Sequence, residues 1–231
     1  MEENSLAIAF SDTLSADVVE CVSEFAEIGL DAIMEEGVLK EIPFVSTAIS
    51  VYKIGKSIKE RHNIQKLASF LDEINRGIVT EEKREEYQQK FRRNEKFRNQ
   101  EMEYIIVLID RYISLDKPRM LAKLYLAYLD GVIIWEELLM YAEVIDRFLL
   151  LDARTLTSES DKYTVHRNIG GESIARLVAL GLMADITNMS PFEAYEDGRV
   201  GMTWGSMQRF QTMDRDYRKT EFGEKLANIL R

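Results

Sequence analysis

Several residue groupings in the sequence have the types and rough spacing of reactive or ligand-holding sites. Ser50-Val51-Tyr52-Lys53-Ile54-Gly55-Lys56-Ser57 ends in the Gly-Lys-Ser of a phosphate-binding loop. That loop needs an earlier glycine and a preceding strand, so that its backbone N–H groups can wrap the phosphates. Here the glycine is missing and the surroundings read as helix. Asp130-Gly131-Val132-Ile133-Ile134-Trp135-Glu136-Glu137 matches the second half of a calcium loop, with Gly131 sixth and Glu137 twelfth. Its first and third positions are then Leu126 and Tyr128, which supply no carboxylate, so a turn between two helices is the better reading. His62 and His166 lack a cysteine or acid at metal spacing. Cys21 lies among acidic residues that raise a thiol pKa, which argues against a Cys-His nucleophile. The pairs Glu35-Glu36, Glu81-Glu82 and Glu136-Glu137 are adjacent, so on a helix they diverge by about a hundred degrees. No catalytic residue, metal ligand or cofactor is expected, and the chain reads as a non-enzyme.

Charged surface is what remains. Residues 1–41 hold eleven acidic side chains against Lys40 alone, which accounts for the formal net charge of −10. Residues 53–98 carry thirteen Lys/Arg and eight Asp/Glu. Two basic groups are candidate interaction surfaces: Lys53, Lys56, Lys59 and Arg61, and then Arg209, Arg215, Arg218 and Lys219. The first follows the uncharged run Ile42 to Tyr52, the pattern of an interfacial membrane helix, although a core helix with a basic solvent end explains it equally. The second belongs to a stretch, residues 162–231, with ten basic and nine acidic side chains. Such a balance suits a protein partner better than the many phosphate contacts of nucleic acid.

The elements that must position these groups are mostly helical. Apolar positions at helical spacing run through residues 15–36, with acids opposite. Pro43 suits the start of a second helix that continues past Ile58. Ile64, Leu67, Ala68, Leu71 and Ile74 form another stripe ending near Asn75-Arg76-Gly77, and Thr80 can cap the next helix. Tyr104 to Ile113 is nearly all apolar, as expected of a central helix packed on several sides. After a break at Asp116-Lys117-Pro118, Leu121 to Leu129 and Leu138 to Leu149 read as an antiparallel hairpin turning at Asp130-Gly131. Thr155 to Asp161 has the composition of a linker. Beyond it, Tyr163-Thr164-Val165 predicts a short strand, Gly171 to Leu182 a helix, and Ser190-Pro191-Phe192-Glu193 a capping box. Tyr217 to Thr220 then predicts a strand feeding a terminal helix. The sum is a mainly α multi-helix bundle over residues 1–152, an acidic helical segment 1–41 and a core 42–152. A small α+β winged-helix-like domain follows over residues 161–231.

The lone cysteine, the absence of a signal-peptide pattern and of a spanning apolar run fit a cytoplasmic protein. Ile42 to Asn75 and Lys123 to Asp146, with Leu129-Asp130-Gly131, resemble poorly characterised bacterial helical proteins of the abortive-infection, phage-defence type. That resemblance implies a helical body with a winged-helix-like cap, and a regulatory or protein-interaction role in antiviral defence or stress response. It carries over no functional residue. A protein partner, self-association or peripheral membrane contact is expected in preference to nucleic acid. The alternatives are a membrane-perturbing effector acting through residues 42–61 and a DNA-binding regulator acting through the C-terminal domain.

Overall fold

The computed structural model describes residues 58–77, 81–93, 95–160, 162–165, 171–187 and 214–231. The helices expected over 15–36 and from Pro43, the Gly-Lys-Ser stretch, Cys21, Lys53, Lys56, Thr80, His166, the Ser190 capping box and Arg209 lie outside them. The described residues form eight helices and three strands, in two compact units divided between Asp146 and Arg147.

In the first unit, α1 (Ile58–Gly77) and α2 (Glu81–Arg93) precede α3 (Glu95–Arg111), α4 (Asp116–Leu129) and α5 (Trp135–Arg147). The stripe read from sequence on α1 is the face it buries, with Ile64, Leu67, Ala68, Leu71 and Ile74 all at most 2% exposed. Its neighbour is α4: Asp72 lies beside Arg119, and a side chain at Gly77 would meet Leu126, so the two helices run in the same direction. The central helix is α4, not the expected Tyr104 to Ile113. Six side chains of α4 are buried, Pro118 and Tyr125 among them, whereas Tyr104, Val107 and Ile113 are 59%, 60% and 85% exposed. Asp116-Lys117-Pro118 begins this helix, because proline needs no N–H partner in a first turn.

Gly131 ends α4 with φ of 72°, the left-handed conformation glycine adopts without penalty. The N–H groups of Gly131 and Val132 return to the carbonyls of Tyr128 and Ala127, closing a Schellman cap. Asp130, fifth in the calcium-like pattern, is taken by Tyr87 and by Lys83 at 3.2 Å, and Glu137 accepts from Ile134 N–H at 3.1 Å. The turn between two helices is thus the arrangement found. The expected return helix stops at Arg147, and Leu149, placed on its inward face by periodicity, is 53% exposed.

The carboxyl end of α3 is capped from α1. Lys66 Nζ donates to the carbonyls of Asp110 (2.8 Å) and Tyr112 (2.9 Å), and Asn63 Nδ2 donates to Asp110 Oδ1 at 2.6 Å. Cation and helix end complement one another, and burial lowers the Lys66 pKa even though Asp110 pulls it up. Lys66→Met keeps the aliphatic stem but leaves both carbonyls without their donor. It is expected to cost about 1–3 kcal/mol, measured by urea unfolding of the full chain. A cost near zero would show that water replaces the ammonium.

The second unit holds α6 (Leu150–Thr157), β1 (Tyr163–Val165), α7 (Glu172–Ala179), β2 (Met183–Asp185), β3 (Arg215–Lys219) and α8 (Glu221–Leu230). Its sheet is antiparallel in the order β1-β3-β2, with Tyr163 opposite Tyr217 and Met183 opposite Lys219. One expectation is corrected here. The compact units divide between Asp146 and Arg147, where the expected body runs to Asp152, and Thr155 to Thr157 complete α6 instead of opening a linker. The helix packs on both α7 and α8, and burial of Ala153 and Leu156 with a bonded Asp152 outweighs the polar composition of Thr155 and Thr157. Both threonine hydroxyls bond back to carbonyls four residues earlier, so they sit within the helix without leaving a donor unmet.

Candidate interaction surface

The buried charges in the described residues are held by neighbours, although Asp72 Oδ2 and Arg119 Nε make no hydrogen bond there. Asp72 is held by Arg76, with Nε 3.2 Å from Oδ1 and Nη2 3.1 Å from Oδ2. Glu101, 7% exposed, accepts from the Tyr128 hydroxyl at 2.7 Å and the Tyr125 hydroxyl at 3.4 Å. Burial and that carboxylate together raise the Tyr128 pKa. Asp152 takes the guanidinium of Arg176 through Nε and Nη2 at 2.8–3.1 Å, and the Ser173 hydroxyl at 2.8 Å. Lys219 is 8% exposed and donates to the Ser158 carbonyl at 2.8 Å. No group of three His, Cys, Asp or Glu side chains able to hold a metal is found among the described residues.

The basic residues singled out from sequence divide accordingly. Lys59 is exposed on α1, and Arg61 lies two residues along the same helix. On β3, Arg215 sits 3.8 Å from Asp185, and Arg218 is exposed beside Thr220, Glu221 and Glu224. Lys219 points into the packing and does not join a basic surface, because alternate strand residues face opposite ways. Arg176, the one cation of α7, is committed to Asp152. The sheet face bearing Arg218 also carries Asp216, which is paired with Lys162 at 2.7 Å and accepts from Thr164 at 2.8 Å.

The exposed apolar side chains are the less expected feature. Tyr104 meets Trp135 edge to face, with ring centroids 6.4 Å apart. Trp135 meets Tyr128 at 5.4 Å, Tyr128 meets Tyr125 at 5.9 Å, and Tyr125 meets Phe70 at 6.2 Å. A ladder of five aromatic rings therefore rises from the buried Phe70 to the exposed Tyr104, and Glu101 ties its two middle hydroxyls. Aromatic pairs at such separations add about 0.5–1.5 kcal/mol each beyond area burial, so the outermost rings stand on a stiff support.

Further along, Arg111 bridges from α3 to Glu143 and Asp146 of α5, at 2.8 Å to each. Contacts from Tyr104 to Trp135 and from Arg111 to Glu143 progress in the same sense, so α3 and α5 run side by side in parallel. Val107 lies between these contacts on α3, and Leu139 one turn beyond Trp135 on α5. Tyr104, Val107, Trp135 and Leu139 thus make an apolar stripe along two parallel ridges. Taking Tyr104 to Ile113 as one apolar mass hides this stripe at the level of sequence. A signal is present all the same: Met102, Ile105, Leu108, Ile109 and Tyr112 form a complete core face by themselves, leaving Tyr104 and Val107 outside it.

Among the described residues no helix is long and apolar enough to cross a membrane. No family model matches the chain, and neither a curated protein nor a solved structure matches it.

Proposed function

We propose that the chain is a non-enzymatic protein-interaction or regulatory protein that engages its partner through the stripe on α3 and α5. The observation that carries this reading is the exposure of Tyr104 and Val107, at 59% and 60%, above an internally bonded aromatic ladder. A rigid aromatic corner that loses little freedom on docking is the type of group that dominates binding energy at interfaces. The buried carboxylates offer less: each is already bonded to a tyrosine, an arginine or a serine. The resemblance to abortive-infection-type proteins points this role towards phage defence or stress response.

We further propose that the second unit is a winged-helix-like cap used for protein contact. Its order α6-β1-α7-β2-β3-α8, the sheet order β1-β3-β2 and the long connection from Asp185 to Arg215 support the assignment. The departure is that one described helix, α7, stands between β1 and β2. With Arg176 tied to Asp152 and Lys219 buried, α7 and the inner sheet face lack, among the described residues, the free cations of a DNA reader.

A photo-crosslinking residue placed at Val107, with one at exposed Glu85 as control, tests the main reading in living bacteria with and without phage. A discrete adduct from Val107 alone is expected. Adducts no different from those at Glu85 would count against it. Val107→Lys is expected to abolish capture while shifting stability by less than about 0.5 kcal/mol, because the side chain is mostly in water.

A further inference from the structure

The rim of this stripe indicates what chemistry fits on it. Of the carboxylates on α3 from Asn99 and on α5, Glu101 is buried under Tyr128, Asp110 is held by Asn63, Glu137 caps α5, and Glu143 and Asp146 are paired with Arg111, which leaves Glu103 and Glu136 as the acids facing solvent beside the stripe. Arg111 and the two acids it joins, Glu143 and Asp146, largely cancel one another and leave about one negative charge at that end of the stripe. Glu103 and Glu136 stand exposed beside the aromatic corner, and the carboxylate of Glu101 lies behind Tyr128. The faces of Trp and Tyr rings attract cations in their own right.

We propose that the apolar stripe shared by α3 and α5 receives a basic amphipathic helix of a partner protein. The inference rests on the interaction reading above and adds the partner's chemistry. An apolar stripe with acids at its edge is the kind of surface an amphipathic helix covers, and the apolar anchors of the incoming helix would recur at i, i+3/i+4 and i+7. Those anchors cover Val107, Leu139 and the Tyr104-Trp135 corner. Lysine or arginine flanking them meets Glu103 on one ridge and Glu136 on the other. An anionic lipid surface is repelled by the same carboxylates, since such membranes bind polybasic faces.

The test uses the full chain and three labelled eighteen-residue peptides followed by fluorescence anisotropy. One is a Leu/Lys amphipathic helix, one its Leu/Glu counterpart, and one a Leu/Lys scramble without helical periodicity. The Leu/Lys helix is expected to bind at least tenfold more tightly than the other two, and to weaken as salt rises. Val107→Lys is expected to weaken it about tenfold and the pair Glu103→Lys/Glu136→Lys about fivefold, while Glu85→Lys on α2 changes nothing. Three results overturn the proposal: equal binding of the Leu/Glu helix, binding indifferent to Val107→Lys, or no binding at all. Binding to anionic vesicles that Val107→Lys abolishes overturns it too, and assigns the face to lipid. If the Leu/Glu helix binds and Val107→Lys removes it, the charge assignment fails while the stripe remains a docking surface. Loss of the Val107 crosslink removes the interaction reading itself.

Discussion

Asp152→Ala is expected to destabilise the second unit by about 3 kcal/mol, at the lower end of what breaking a buried ion pair costs. Asp152 is fully buried, and the side chain of its partner Arg176 is 36% exposed, so part of the stranded positive charge can still reach water. The carboxylate also accepts the Leu149 N–H at 2.9 Å, so its loss undoes the start of α6 as well. Calorimetry of the full chain should show the transition of residues 147–231 moving down while that of the first unit stays. Adding Arg176→Met should return part of the loss, because no uncompensated charge is left behind. A single-variant effect within about 0.5 kcal/mol, the size of an ordinary surface change, would sink the assignment.

The same carboxyl sets an acid limit. Burial alone would raise its pKa, but the bonds from Arg176, Leu149 N–H and Ser173 outweigh burial and hold it below its ordinary 3.8. A carboxyl depressed in the folded state contributes its full stability above the unfolded value and loses it as pH falls through the folded one. The unfolding midpoint of the second unit should therefore drop as pH is lowered below about 4. Asp152→Ala should flatten that part of the profile.

Gly223→Ala should be comparably damaging, and here two effects of opposite sign compete. Alanine in place of a helical glycine gains about 1 kcal/mol of propensity. Against it, a Cβ at this position lies 2.0 Å from the Leu182 carbonyl oxygen and 2.8 Å from its carbon. That carbonyl accepts the Thr220 N–H at 3.0 Å and belongs to the turn in which Gly181 adopts φ of 74°, so it has little room to retreat. Overpacking a core costs about 1–3 kcal/mol, occasionally more, and a backbone clash this close belongs at the upper end. A net loss of about 2 kcal/mol is expected in urea unfolding. Gly77→Ala is the contrast, because its 2.2 Å contact is with the Leu126 Cδ1 methyl, which can rotate aside. A stabilised Gly223→Ala protein would mean that α8 can slide off the turn.

Where one period governs one face, the sequence is easily read. Ile64 to Ile74 belongs to the core by spacing alone, and β1 and α8 lie where a short strand and a terminal helix are expected. Thr220 caps α8, its hydroxyl accepting the Gly223 N–H at 3.0 Å. Reading fails where two faces overlap in one apolar run. Between Tyr104 and Ile113 the core face and the exposed stripe are both apolar, and periodicity cannot tell burial from a surface left open for a partner. It fails again at Leu150 to Thr157, whose hydroxyls bond back into the helix and whose one acid is buried by a serine and an arginine more than twenty residues away. Long-range pairing of that kind has no local signature. The basic residues on β3 show the same limit: their number is plain, but Lys219 points inward because the pleat puts it on the face opposite Arg218, and which face is covered is not written in composition.

The middle position of β3 in its sheet has a kinetic consequence. β1 and β2 are both translated before β3, yet among the described residues each pairs only with β3, and Thr164 reaches Asp216 across 52 residues of chain. On the ribosome the two outer strands therefore wait unpaired until Arg215 to Lys219 has emerged. Closure of so long a loop before any ladder bond forms makes for slow folding and a late, cooperative collapse of this unit. The helices of the first unit make their backbone bonds locally, although α1 meets the end of α3 only 44–47 residues later, so helix formation there precedes assembly of the second unit.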